Sequence, residues 1–276
     1  MIPPLLTAKE AARLIHCPKG EVALSLDLGK SRTKVTVTKD TIHFPDGSIL
    51  PLEAIKKLKD NTIYFVEDNE LRQVALFSEE TNFHYKLRPT ADWPTVTLSS
   101  TPMHRHTNIS PRHHAKLMIA EIAPIQGAVL DTCCGLGYTA ILAAERADKV
   151  KTFDDDPNVA IVARYNPYSE ELFTNKKIDF VQGDVFENIK NLKDNSFDRI
   201  LHDPPTLKYA PVLFSSAFHR ELFRVLKKEG ILYHYCPTPK KTHGDLLYPR
   251  IMRQLKESGF SEVEYHEKSS GIRAVK

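Results

Sequence analysis

The sequence predicts an α/β protein in which a small β-rich domain precedes a doubly wound, mainly parallel sheet. Three observations carry this. From Ser110 onward, apolar strand-like runs alternate with segments of helical period, the pattern of a parallel sheet with helices on both faces. Before Ser110, short β-branched or alternating runs are separated by turn residues. In the second part, an acidic residue closes one strand after another, and the first of these strands runs into a glycine-punctuated turn.

Composition sets the frame. The 276 residues suffice for one medium domain and one small one, and 41% hydrophobic with 26% charged residues allows a sizeable core. The net charge of +3 permits nucleic-acid binding without demanding it. The four cysteines, Cys17, Cys133, Cys134 and Cys236, form no CxxC pair and have no Cys/His spacing suited to zinc, so no metal is expected. Their pattern suits a reducing cytoplasm. The first residues lack a basic region followed by an apolar core, and no apolar run reaches membrane-spanning length. The expectation is a cytoplasmic protein with no membrane partner.

Taken in order, LTAKEAARLI reads as a short amphipathic helix with Thr7 as N-cap and Glu10 three residues on. From Glu21, EVALSLDL, TKVTVTK, TIHF, TIYFVED and RQVALF read as strands, with LEAIKKLKD after Pro51 as a short helix. Gly29, Pro45-Asp46-Gly47 and Asp68-Asn69 supply turns. The β-rich domain is assigned to 1–109 and the α/β domain to 110–276. Ser110-Pro111 opens the helix RHHAKLMIAEIA. Strands and helices then alternate through AVLD, YTAILAAERA, VKTFD, PNVAIVARYN, IDFVQGD, FDRILHD, SAFHRELFRVLK, GILYHYC, YPRIMRQLKESG, VEYHEK and GIRAVK. The last two strands are close in sequence and should end the sheet in an antiparallel hairpin.

Ligands of open α/β sheets bind beyond the carboxyl ends of the strands, and four acids stand at such ends. Asp131 ends AVLD and starts the loop Thr132-Cys133-Cys134-Gly135-Leu136-Gly137. Glycine at 135 and 137 lets the backbone turn sharply and approach a ligand. Asp154 ends VKTF, where a carboxylate can accept both hydroxyls of a ribose. Asp184 ends VQGD, and Asp203 follows ILH in HDPPT. Cys133 stands where a dinucleotide-binding G-x-G-x-x-G would have its first glycine, so that motif is not matched. Cys133 and Cys134 read as small loop fillers, and Asp155 and Asp156 as a solvent-facing residue and a helix cap.

The order of these features resembles the class I S-adenosylmethionine (SAM)-dependent methyltransferases, over roughly residues 110–276. The resemblance implies a Rossmann-like domain with SAM as cofactor. It implies that the loop of Asp131, Cys133, Gly135 and Gly137 packs on the methionine part, that Asp154 binds ribose, and that Asp184 holds the adenine amine.

Asp203-Pro204-Pro205-Thr206 resembles the D/N/S-P-P-Y/F motif of methyltransferases that act on exocyclic base amines. Asp203 and a neighbouring carbonyl can accept hydrogen bonds from such an amine and favour a pyramidal nitrogen whose lone pair meets the methyl group. Pro204 and Pro205 stiffen the loop and remove competing N–H donors. The family's aromatic residue stacks on a flipped base; here Thr206 stands in that place, with Tyr209 three residues on as a substitute. A plain turn after a strand is the simpler reading of Asp-Pro-Pro taken alone.

Cys236 after ILYHY stands where cytosine-C5 RNA methyltransferases carry a nucleophile, but Pro237 follows it, and it reads as structural. His104, His106, His113 and His114, beside Arg105 and Arg112, read as a solvated basic segment and a helix start, or as a lid. Lys208, Lys240, Lys241 and Arg250 are candidates for phosphate contact.

Over its whole length, through VLDTCCGLGYTAI and FDRILHDPP, the chain resembles an archaeal methyltransferase family, which implies methylation of cytosine N4 in ribosomal RNA, once or twice. The residues alone support methyl transfer to a nitrogen. A protein or small-molecule amine as acceptor, C5 chemistry through Cys236, and a non-enzymatic binding module remain open at this point.

Overall fold

The computed structural model describes residues 2–17, 19–237 and 247–276. The chain divides into two compact units, one of 1–111 with 158–170 and one of 112–157 with 171–276. The segment 158–170 therefore groups with the first unit, although it interrupts the alternating pattern of the second.

The first unit holds one helix of the expected kind, α1 (Ala8–Ile15). Thr7 caps it by accepting from the Lys9 N–H, and its hydroxyl donates to the Glu10 carboxylate. Ala11 and Leu14 form its buried stripe, and Glu10 and Arg13 suit the charge at its two ends. Three small sheets make up the rest. Strand β1 (Leu5–Leu6) pairs with β6 (Tyr64–Glu67), which pairs with β7 (Glu70–Gln73). Strands β2 (Gly20–Leu24), β3 (Thr33–Val37), β4 (Thr41–His43) and β5 (Ile49–Pro51) form an antiparallel meander. Strands β8 (Ala75–Ser78), β9 (Phe83–Arg88), β10 (Thr95–Leu98) and β11 (Thr101–Pro102) form another.

Two local expectations change. RQVALF is not one strand. Val74 is buried, its N–H donates to Ile63 O and its carbonyl accepts from Leu87 N, so one apolar run leaves one sheet and enters the next. LEAIKKLKD yields only a 3-10 turn at Leu52–Ile55, because Ile55 is its one buried residue and the lysines after it have no face to bury.

In the second unit, α2 (Pro111–Glu121) leads into a seven-stranded sheet. Its strands are β12 (Ala128–Asp131), β13 (Lys149–Asp154), β14 (Ile178–Gln182), β15 (Phe197–His202), β16 (Leu226–Tyr235), β17 (Ser261–His266) and β18 (Gly271–Val275). The order is β14-β13-β12-β15-β16-β18-β17. The first five are parallel, and β18 runs antiparallel to both β16 and β17, which closes the sheet with the expected hairpin. All four residues of β12 are buried, as befits a central parallel strand covered on both faces. The helices of this unit are α3 (Tyr138–Ala144), α5 (Glu170–Thr174), α6 (Val185–Asn188), α7 (Ser216–Val225) and α8 (Leu247–Glu257), while α4 (Pro157–Ala163) groups with the first unit from Asn158 on. The main core joins Leu130, Phe153, Ile200 and Leu232 of the sheet to Phe218 and Leu222 of α7 and Ile251 and Leu255 of α8. Among the described residues, no helix is long and apolar enough to cross a membrane.

Candidate active site

The doubly wound order puts β13 and β15 on either side of β12, so their carboxyl ends are neighbours. Asp131 is 1% exposed. Its Oδ2 accepts from Thr152 Oγ1 at 2.8 Å and from Thr139 Oγ1 at 3.4 Å. Its Oδ1 is buried and has no partner among the described residues. Burial pushes its pKa up to about 8; the Thr152 hydroxyl opposes this and the charge of Asp203 adds to it.

The loop after Asp131 is tight. Cys134 N donates to Phe153 O at 2.7 Å and Gly137 N to Cys134 O at 2.8 Å. Gly135 (φ +54°) and Gly137 (φ +77°) both stand in the left-handed region. A Cβ at Gly137 would lie 2.9 Å from Leu172, whereas nothing lies within 4 Å of one at Gly135, so the backbone there faces open space. Asp154 braces this loop. Its Oδ2 accepts from Gly135 N at 2.7 Å and its Oδ1 from Asp156 N at 3.1 Å. Burial nonetheless pushes its pKa up to about 7, against those two N–H donors. Cys133 is partly buried, and burial drives its thiol well above the ordinary range, so it lines the loop as a neutral group.

Asp203 is partly buried, Pro204 is buried and Thr206 is exposed. Burial alone pushes the Asp203 carboxyl up to about 7, and among the described residues no hydrogen bond reaches it. Beyond Pro205, Tyr209 N and Ala210 N both donate to Thr206 O, at 2.8 and 3.1 Å, so the chain turns back on itself. That turn leaves the Tyr209 ring 43% exposed, with the Lys208 ammonium 5.5 Å from its centroid.

Asp184 follows Gly183, whose N–H donates to Asp154 O at 2.8 Å. It is exposed and caps α6, its Oδ1 accepting from Phe186 N at 2.8 Å. Cys236 is buried in the main core and its thiol is pushed up to about 12, which opposes a nucleophilic role. His113 and His114 lie at the expected helix start, in the first turn of α2, but His114 is buried rather than solvated, and its Nε2 meets Ser269 O at 3.0 Å. His113 and Arg112 are exposed. Arg250 lies in α8, while Lys240 and Lys241 lie outside the described residues.

Sequence reasoning missed a polar layer beneath the site. Thr132 is buried, and its N–H donates to Leu201 O at 3.0 Å. Its Oγ1 lies 2.6 Å from His202 Nδ1, and His202 Nε2 lies 3.1 Å from Leu213 O. Burial first, then His234 and His219, hold His202 neutral by pushing its pKa well down. His234 packs edge-on against His202 with centroids 4.4 Å apart, and its Nε2 lies 3.2 Å from His219 Nε2. Thr132 and His202 sit 70 residues apart in sequence, so only a correct strand order could have paired them.

With this geometry in view, the comparisons are informative. Residues 129–230 match the model of a methyltransferase domain. "Uncharacterized protein MJ1233" of Methanocaldococcus jannaschii is 38% identical over 279 aligned residues, 98% of this chain and 95% of its own. The chain belongs to the same family as MJ1233. It is a SAM-dependent methyltransferase. Among solved structures, a spermidine synthase in complex with the transition-state analogue AdoDATO superposes with a TM-score of 0.60 at 15% identity, covering 73% of this chain and 71% of its own. The spermidine synthase of Thermotoga maritima gives 0.57 at 18% identity, over 73% and 70%. These two establish the fold.

The residues of this methyltransferase fit the cofactor. The unpartnered Asp131 Oδ1 is a buried acceptor that an ammonium group would satisfy. The bare backbone at Gly135 leaves room for a ligand against the loop. Asp154 has one carboxylate oxygen on the loop at Gly135 and the other on Asp156 N, each with a lone pair beyond its backbone bond. Beside them, Asp203 offers a carboxylate with no hydrogen-bond partner among the described residues, its pKa pushed up to about 7 by burial.

Proposed function

We propose that this enzyme methylates the exocyclic amine of a nucleic-acid base in RNA, with cytosine N4 of ribosomal RNA as the target. The observation that carries the reading is Asp203: a partly buried carboxylate without a protein partner among the described residues, followed by two prolines, beside the loop that fits SAM.

SAM supplies, when bound, a methyl group on a sulfonium whose departure leaves a neutral thioether. The chain's own residues align and deprotonate. Asp203 accepts a hydrogen bond from the amine and turns the nitrogen lone pair toward the methyl carbon. As the new N–C bond forms, the surplus proton on nitrogen passes to the Asp203 carboxylate. A pKa of about 7 suits that transfer, because a base poised near the working pH is the most effective. Pro204 and Pro205 fix the loop and offer no N–H to compete for Asp203.

Thr206 is too small to stack on a base. Tyr209, brought back by the turn on Thr206 and left exposed, is the aromatic residue we assign to that contact. Asp131, Cys133, Gly135, Gly137 and Asp154 hold the methionine and ribose parts. Asp184, with one oxygen spent on its cap, holds the adenine amine through the other. The four free cysteines suit a reducing cytoplasm as the place of action.

A small-molecule amine is the second reading, favoured by Thr206 in place of an aromatic and by the likeness to spermidine synthases. The purified protein with methyl-labelled SAM should label RNA transcripts containing ribosomal sequences and leave free polyamines and proteins unlabelled. Label in polyamines alone would replace the first reading with the second.

A further inference from the structure

We infer that Thr132 and His202 form a positioning bridge that sets the distance between the SAM loop and the acceptor-binding Asp203. The inference rests on the reading that Asp203 holds the acceptor amine, and it gives a role to two residues of the quoted motifs that the sequence left without one.

The protonation pattern follows from the partners. The Leu213 carbonyl can only accept, so His202 Nε2 carries the proton and donates at 3.1 Å. His202 is neutral, so its Nδ1 is bare and must accept. Thr132 Oγ1, at 2.6 Å, is therefore the donor. Both side chains are fully or almost fully buried, so water cannot substitute for either partner.

The placement gives the bond its use. Thr132 follows Asp131 directly and opens the glycine loop. His202 precedes Asp203 directly and ends β15. The two strands are hydrogen-bonded neighbours, with Asp131 opposite Leu201 in register. The backbone contact from Thr132 N to Leu201 O holds the strand ends together. The side-chain bond then ties the first residue of one loop to the residue that directly precedes the acid of the other. Through Leu213, the same imidazole also holds the turn Pro211–Phe214, which closes the segment that begins at Asp203. A His202 that is anchored at both nitrogens cannot rotate, and His234 packed edge-on removes the remaining space. Methyl transfer needs the nitrogen and the methyl carbon in line, and a misplacement of about 1 Å can slow such a step by about 100-fold.

The test is a donor series at one position, read in the full-length protein. T132S keeps the hydroxyl, T132C offers a weak thiol donor, and T132V offers none. For T132V, kcat should fall about 100-fold while the SAM Kd from calorimetry changes little; the melting temperature should fall, because His202 Nδ1 is left buried without its donor. T132S should restore kcat to near the wild-type value and T132C should fall between. Unchanged kcat in T132V overturns the proposal. So does a parallel loss of SAM affinity and kcat that T132S fails to rescue, since Thr132 would then only pack the loop. Should T132V not fold, equal rates for T132S and T132C overturn it. If the wild-type protein transfers nothing to RNA, the substrate reading fails instead. The bridge is then decided by crystals of T132V with SAM: a shift of Asp203 by about 0.5 Å or more supports it, and superposition with wild type removes it.

Discussion

Two sets of aspartates, Asp27 and Asp46 in the first unit and Asp131, Asp154 and Asp203 in the second, are placed under opposite conditions. In the first unit they close turns. Asp27 accepts from Ser25 Oγ at 2.7 Å and from Ser31 N at 2.9 Å, and Asp46 accepts from Ser48 N at 3.0 Å. Burial pushes the Asp27 carboxyl up, but the hydrogen bonds from Ser31 and Ser25 and the Lys30 charge outweigh it and hold the pKa low. In the second unit, Asp131, Asp154 and Asp203 stand at the ends of three adjacent strands, and burial wins at each. A carboxylate with its needs met locally serves the fold. A buried carboxylate left short of partners is held there by the fold for something else.

The comparison can be broken most decisively at Asp203. Replacing it with Ala should lower methyl transfer about 1,000-fold, the range expected for a lost general base. Its SAM affinity should hold, and its melting temperature at neutral pH should not fall, because no protein hydrogen bond is lost among the described residues and a carboxyl raised by burial is removed. Single-turnover assays beside calorimetry would check this.

Asp131→Asn comes next. A hydrogen bond to a charged group contributes about 1.5–3 kcal/mol, so SAM affinity should fall roughly 10- to 100-fold. The ligand-free protein should melt higher than wild type at pH 8, since a buried carboxylate with an unpartnered oxygen is gone. Calorimetry and thermal melts would read both effects.

The third prediction concerns pH. All three strand-end carboxyls are raised above 3.8 on folding, to about 8, 7 and 7. Between the unfolded and folded values the native state binds more protons. Stability of the ligand-free protein should therefore fall as pH rises from about 4 to about 8. Melts across that range would show a flat or rising curve if the carboxyls were not buried at a cost.

The smallest effect belongs to the first unit. Asp27→Ala should lower stability by about 1 kcal/mol at neutral pH, with SAM affinity unchanged. Because the folded pKa of Asp27 is depressed, this loss should disappear as pH falls below 3.8. Urea titrations at pH 7 and pH 3 would test it.

The parallel sheet was legible because its strands are short apolar runs that end in acids, and a buried parallel strand needs little else. Asp131, Asp154 and Asp203 were visible for the same reason. The first unit was less legible. Phe83–Arg88 and Thr95–Leu98 alternate apolar and polar residues as strands do but are not among the runs read as strands, and Val74 joins two sheets within one run. Asp184 looked like its fellow strand-end acids, but the sequence does not reveal that a short helix starts at the next residue and takes it as a cap. Thr132, Thr152 and His202 were invisible because their meaning depends on pairing between distant strands.

The central claim is that the unengaged carboxylate of Asp203 marks the acceptor site for an RNA base amine. Nucleoside mass spectrometry of RNA from cells lacking this gene, re-expressing either the wild-type protein or Asp203→Ala, tests it directly. The account predicts one N4-methylated cytidine species that is absent without the gene, restored by the wild type and not by the variant. An unchanged nucleoside profile, or restoration by Asp203→Ala, would contradict it.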